Sequence, residues 1–469
     1  SPMSRLKKLG RAVFLWQQLS YVLFFARSVV FMRLVAPETF GVFALATTLA
    51  SYMAILRAFD FRAPLITAKE LPDRLLSTQY GAETALCAMN FAVSLLLLPW
   101  LGGHYGGAVL GATFGLLLVD LVDASCSTPL YLAEREMSFP FISRARAIIN
   151  IISFGVCALL AWQGFGLVAL VVDRLLASLL LGLVMWYKTD WKLSFQWDRA
   201  SFRYLAGFGG ILFLCGMLGK VLFGFDLFML GTYWSETELG FYSRAIAWAR
   251  LPMEVGTGFL SMMALAFYSE GARDESHSPL LHYSEMTSNI SRVSMWMTGL
   301  MAILFWDLVP WVFGARWEAI TPHFWALIPY AVARPIYQNC MQLLVSLHEQ
   351  RFILGVLVVQ SVLFVLLLMA SVGHSALWIG ASSGLMLVLG YAVIERRVHR
   401  RLGGSPWRTF LLPLLMLLSV LALAGWLRFH SLNWKTSFAL DALLATLYSG
   451  AAFWEWRRNQ TPPPANLSL

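Results

Sequence analysis

The chain has 469 residues, of which 58% are hydrophobic and only 13% charged, whereas a soluble globular protein carries roughly 25% charged residues. Its apolar residues gather in runs such as 167–186 and 353–369, and a bilayer is crossed by about 20 of them. That excludes a soluble fold, and no polar segment is long enough for even one soluble domain.

Ser1-Pro2-Met3 reads as a tag remnant ahead of a native Met3, and basic 4–11 runs into an apolar segment without the cleavage pattern of a signal peptide. From there the hydropathy pattern predicts fourteen helices. They lie near 11–34, 39–60, 78–100, 106–130, 141–163, 166–187 and 203–232, then 238–268, 286–309, 320–347, 351–371, 375–395, 407–427 and 437–456. The ends of the seventh and eighth are the least defined, because polar residues interrupt them.

Basic residues orient these spans, since cytoplasmic loops collect Lys and Arg. With the N-terminus inside, 23 basic residues fall in cytoplasmic segments, among them Arg5, Lys7, Arg62, Arg135, Arg273, Arg351 and the run Arg396–Arg401. Four fall outside: Arg33, Arg316, Arg428 and Lys435. Both termini are expected in the cytoplasm. The net charge of +9 follows from this asymmetry, so no nucleic-acid partner is called for.

The five cysteines lie inside predicted spans without the spacing of metal ligands or disulfides, and the eight histidines form no HxxxH or HExxH. No metal or cofactor is expected. External loops such as 102–106, 163–166 and 373–375 are short. An integral-membrane glycosyltransferase, ligase or polymerase needs a large external loop to hold acceptor and catalytic groups, so the chain is not expected to be an enzyme.

Two motifs recur. Pro37-Glu38-Thr39-Phe40-Gly41-Val42-Phe43 is echoed by Ser235-Glu236-Thr237-Glu238-Leu239-Gly240-Phe241-Tyr242, and Leu132-Ala133-Glu134-Arg135 by Leu347-His348-Glu349-Gln350-Arg351. Each alone reads as a helix start with a small residue that permits close packing. Together they suggest two six-helix bundles, 4–190 and 200–400, related by a pseudo-two-fold axis along the membrane normal. Helices thirteen and fourteen (405–458) and a cytoplasmic tail (459–469) follow. The expected fold class is therefore an all-α integral membrane protein of fourteen transmembrane helices, with substrate between the bundles.

These residues also resemble a known family. The segment Arg33–Ala46 is similar to the first-loop signature of polysaccharide flippases, with Pro-Glu, then Phe-Gly, then Phe-Ala-Leu-Ala. Leu239-Gly240-Phe241-Tyr242-Ser243-Arg244-Ala245, with Asp226 upstream, resembles its Leu-Gly-x-Tyr-x-x-Ala stretch. Glu134-Arg135 with Phe139, and Ala161-Trp162-Gln163-Gly164-Phe165-Gly166, resemble two further turns. The resemblance covers roughly 10–400 and points to the bacterial oligosaccharide-lipid (Wzx-like) flippases of the multidrug/oligosaccharidyl-lipid/polysaccharide (MOP) exporter superfamily. It implies that undecaprenyl-pyrophosphate-linked repeat units pass from the inner to the outer leaflet for O-antigen, capsule or exopolysaccharide assembly. It also implies a monomer that works with a polysaccharide polymerase and co-polymerase. A drug-type small-molecule antiporter is the alternative; twelve spans and fewer intramembrane cations would suit that better.

Eight basic residues remain inside the spans: Arg27, Arg57, Arg174, Lys220, Arg244, Arg250, Arg292 and Arg334. Each costs about 2.5–3.5 kcal/mol at a helix centre. Arg292 and Arg57 lie near inner ends, where snorkelling is open to them; Arg250 and Glu254 are one turn apart and can neutralise each other. Arg27, Lys220, Arg244 and Arg334 lack an acid at i±3 or i±4, and a water-filled cationic cavity is their cheapest environment. Arg27, Arg57, Lys220, Arg244, Arg250 and Arg334 are thus the candidate substrate-binding set, because guanidinium forks suit pyrophosphate. Asp120, Asp123, Asp226 and Glu254 are candidates for ion coupling, with pairing to basic neighbours as the plainer reading. Most aromatics read as membrane-interface and lipid contacts; Trp16, Trp248 and Trp325 are offered as sugar-stacking surfaces.

Overall fold

Helices make up the secondary structure of the described residues. A computed structural model describes residues 2–55, 59, 61–67, 70–136, 138–194, 196–207, 210–256, 279–347, 349–403, 407–430 and 434–460. Among these, nine helices are long and apolar enough to cross a membrane. Their outer faces carry the apolar load that lipid requires, with Leu96 81% and Leu183 66% exposed.

The first helices run in order as α1 (Pro2–Leu34), α2 (Pro37–Met53), α3 (Arg62–Thr67), α4 (Asp73–Tyr105), α5 (Gly107–Ser125) and α6 (Ser127–Arg135). Next come α7 (Phe139–Trp162), α8 (Gly166–Lys188), α9 (Arg199–Gly207), α10 (Gly210–Leu222), α11 (Phe225–Tyr233) and α12 (Glu236–Ala249). A π-turn at Pro252–Gly256 follows. Then come α13 (Pro279–Leu308), α14 (Ile320–Ala326), α15 (Ile328–Ser346), α16 (Gln350–Ser371), α17 (Leu377–Leu402), α18 (Trp407–His430) and α19 (Trp434–Gln460).

Several predicted spans are broken. The fourth splits at Cys126 into α5 and α6, and the seventh breaks at Phe223–Gly224 between α10 and α11. Apolar composition continues through these breaks, so hydropathy does not register them. The eighth ends its α-helical part at Ala249, and its last residues, 257–268, lie outside the described residues.

The chain folds as two compact units, Ser1–Gly240 and Phe241–Leu469. In the first, α1 packs on α7, α7 on α8, and α5 on α2, α4 and α8. The turn between α7 and α8 has a local cause. Gly164 takes φ 93°, and Phe165 N–H reaches back to the Leu160 carbonyl at 3.0 Å. This is the glycine-dependent stop of a helix that the Ala161–Gly166 motif encodes.

The repeated glycines meet in this same unit. A Cβ on Gly41 would fall on the Glu236 carbonyl, and one on Gly240 would fall on the Pro37 carbonyl. Thr237 Oγ1 donates to Glu38 Oε1 at 3.0 Å beside them. Each copy of the motif is therefore the small surface on which the other packs.

In the second unit α13 packs on α15, α18 and α19, and α15 on α17. A hydrophobic cluster of Ile303, Ala424, Leu444, Ala445 and Tyr448 joins α13 to the last two helices.

Candidate functional site

The charges inside the spans fall into separate groups, and the structure supplies partners that spacing along one helix could not reveal. In the first unit Arg27 of α1 is ion-paired with Asp173 of α8, whose side chain is only 6% exposed. Ser153 of α7 also donates to Asp173, and the Arg27 guanidinium lies 5.6 Å from the Phe31 ring centroid. Arg27 has no acid at i±3 or i±4 along α1, and its acid comes from another helix.

Lys220 serves a different purpose. Its Nζ donates to the Ala54 carbonyl at 3.2 Å and to the Ser51 carbonyl at 3.4 Å. These are among the last carbonyls of α2, where a cation also complements the helix dipole. Arg57 lies outside the described residues.

The two aspartates of α5 address different neighbours. Asp120 accepts from the Cys87 thiol of α4 at 3.4 Å, whereas Asp123 accepts from Ser178 of α8. Asp123 lines a cavity of about 330 Å³ together with Ser127, Tyr131, Arg146 and Ser178. Asp226 is 2% exposed in the first turn of α11 and accepts its neighbour's amide, Leu227 N–H, at 2.8 Å. That amide is one of those left over at a helix start.

In the second unit three of the candidates come together. Arg250 Nε donates to the Tyr330 hydroxyl at 3.3 Å. Glu254, in the π-turn after α12, interacts electrostatically with both Arg250 and Arg334. Arg334 stands beside Pro335 in α15 and feels Arg250 as a like charge and Glu254 as an opposite one. Glu254 is thus shared between two arginines, and not simply neutralised by Arg250 one turn away. Half-buried Arg244 lies on α12. Asn339, also on α15, donates to Thr287 at 3.0 Å in the protein interior.

Arg292 has an ionic partner from another helix: its Nε reaches Glu455 of α19 at 3.0 Å, with the two side chains 16% and 5% exposed. Trp248 is buried edge-on against Phe305, with ring centroids 5.8 Å apart. The Trp325 indole donates to the Ala302 carbonyl at 3.1 Å. Both rings are packing groups here.

The second echoed motif is an ion-pair anchor in each unit. Glu134 accepts from Arg62 at 2.5 Å, and Glu349 accepts from Arg397 at 2.9 Å and also pairs with Arg401. Hydrogen bonding from Arg397, then from Arg401, holds the Glu349 carboxyl below the usual range. Sequence reasoning missed the buried network of Gln79, Glu83, Thr128 and Tyr131. It also missed Asp307, Arg428 and Asp441, which meet in the second unit. Their positions at the ends of the ninth, thirteenth and fourteenth predicted spans were the available signal.

A helical, multi-pass membrane protein with the fold of MOP-superfamily transporters is what these observations define. The lipid II flippase MurJ, in an inward closed conformation, aligns over 96% of this chain and 99% of its own, with TM-score 0.71 and 14% identity. An inward-facing MATE multidrug transporter aligns over 82% and 95%, with TM-score 0.59 and 15% identity. A MOP-superfamily transporter from Pyrococcus furiosus aligns over 85% and 96%, with TM-score 0.54 and 13% identity.

The profile of the polysaccharide biosynthesis protein family matches residues 30–322, and the chain belongs to that family. The teichuronic acid biosynthesis protein TuaB of Bacillus subtilis (strain 168) is 21% identical over 276 residues. That alignment spans 58% of this chain and 56% of the relative, so the chain matches little more than half the relative's length.

Proposed function

We propose that this protein moves undecaprenyl-pyrophosphate-linked oligosaccharide repeat units from the inner to the outer leaflet of a bacterial inner membrane, by alternating access. The product would feed O-antigen, capsule or exopolysaccharide assembly. The observation that carries the reading is that Arg250 and Arg334 both act electrostatically on Glu254 and oppose one another as like charges. Two like charges in a low-dielectric setting favour an anion between them. A pyrophosphate supplies it, and each charge-assisted hydrogen bond contributes about 1.5–3 kcal/mol. Family membership and the likeness to TuaB support a saccharide-bearing substrate.

In this reading Arg27, Lys220 and Arg244 assist passage of the headgroup, with Arg57 in the same set. Asp120, Asp123, Asp226 and Glu254 are the groups through which an ion gradient would act. Both termini are cytoplasmic, the protein is a monomer, and a polymerase and co-polymerase receive its product. The MATE-like fold favours one second reading, ion-coupled export of small molecules.

Liposomes containing the purified protein and defined lipid-linked oligosaccharides test the proposal. Transbilayer movement should require the protein and should distinguish pyrophosphate-linked from neutral glycolipid. Drug efflux without lipid movement would establish the second reading.

A further inference from the structure

The last two helices are fastened to α13 by charged groups at both ends, and the two ends differ in charge balance. At one end Arg292 and Glu455 form a one-to-one pair. At the other, Arg428 in the last turn of α18 meets two acids, Asp307 in the last turn of α13 and Asp441 near the start of α19.

One guanidinium nitrogen, Nη2, donates to both, at 2.7 Å to Asp307 Oδ2 and 2.5 Å to Asp441 Oδ2. Oxygens that share a nitrogen at such lengths are no more than about 5 Å apart, within the range where like charges strongly oppose each other. A proton on one of the two carboxyls removes that opposition and turns an acceptor into a donor.

The two carboxyls are largely buried, with the Asp307 and Asp441 side chains 12% and 2% exposed. The Trp306 ring covers Arg428, with the guanidinium carbon 5.8 Å from its centroid. Arg428 from α18 and Asp307 from α13 are the charged groups that act on Asp441 among the described residues. Two carboxylates and one guanidinium would leave a net negative charge in this setting, and one proton makes the group neutral.

We propose that Asp307, Arg428 and Asp441 form a proton-binding site in which the two carboxyls hold one proton between them and so fasten the C-terminal helix pair to α13. When base takes that proton into solvent, two carboxylates repel each other across one arginine. This end of the helix pair then loosens, while the Arg292–Glu455 end, balanced without a proton, stays in place. The site is independent of which substrate is carried.

Infrared difference spectroscopy of the purified full chain in nanodiscs, read against pH, tests the proton directly. The wild type should show a protonated-carboxyl stretch at neutral pH that disappears on alkalisation. Asp441→Asn and Asp307→Asn should each abolish it, and Glu455→Gln should leave it.

A second measurement reads the fastening. Spin labels on Trp311→Cys and Phe438→Cys, at exposed positions, should report a distance distribution that broadens at high pH. Asp441→Asn should stop the broadening. No such stretch in the wild type at neutral pH, or its survival in both Asn variants, overturns the site. A stretch that titrates while the label distances stay fixed overturns the fastening, and both wild-type readings hold even if a variant fails to fold.

Discussion

Arg27 and Arg334 look alike in the sequence, each a deep arginine without an acid one turn away, yet the two units treat them differently. Arg27 is matched one to one by Asp173, which Ser153 also holds. Arg334 shares Glu254 with a second arginine, Arg250. A matched pair is near its lowest energy as it stands, and an anion gains little by displacing Asp173. Where two guanidinium groups crowd one carboxylate, an incoming anion relieves repulsion. On the proposed function, the comparison makes Arg334 the stronger candidate for direct contact with the anion.

Removing Asp173 should have the largest effect. Asp173→Asn leaves Arg27 without its countercharge, and breaking a buried pair from one side costs about 3–5 kcal/mol. Because Arg27 keeps 24% of its side-chain surface exposed, the lower end, about 3 kcal/mol, is expected. A fall in melting temperature and in folded yield would register it. The double variant Arg27→Ala/Asp173→Asn should recover much of the loss. Failure to recover would place Arg27 outside the pair.

Close packing comes next. Gly41→Ala drives a methyl into the Glu236 carbonyl, and overpacking costs about 1–3 kcal/mol. Gly240→Ala should cost a similar amount through Pro37. Thermal unfolding checks both, and equal stability with wild type would mean that the two motif copies do not need their contact.

The smallest effect lies outside the spans. Arg397 and Arg401 depress the Glu349 carboxyl in the folded state, so folding favours its ionised form. That contribution is complete above the unfolded value of about 4.3 and is lost as pH falls through the lower folded value. Glu349→Gln should therefore lower stability at neutral pH by about 1 kcal/mol, because solvent screens its partners, Arg397 and Arg401, which keep 35% and 57% of their side chains exposed. The difference from wild type should close as pH falls through the folded value. A gap that persists in acid would assign the loss to shape and not to charge.

Much of the helical layout was legible. The predicted spans at 141–163, 166–187 and 351–371 agree closely with α7, α8 and α16, because an unbroken apolar run ending in Gly or a polar pair has few other conformations. The recurring glycines were legible as packing positions, and the structure identifies what packs there. The breaks at Cys126 and between α10 and α11 were hidden, since apolar residues lie on both sides of each turn. Ion partners were the least legible. A sequence displays neighbours three and four residues away, whereas Asp173, Glu455 and Asp441 act on arginines from other helices.

The claim that Arg334 and Arg250 take a pyrophosphate is tested most directly by ligand binding to well-folded Arg334→Ala, set beside wild type. Undecaprenyl-pyrophosphate-linked oligosaccharide and a neutral glycolipid with the same sugars serve as the two ligands. Loss of one charge-assisted contact, about 1.5–3 kcal/mol, should weaken the pyrophosphate ligand about tenfold or more and leave the neutral one nearly unchanged. Equal weakening of both ligands, or of neither, would contradict the account.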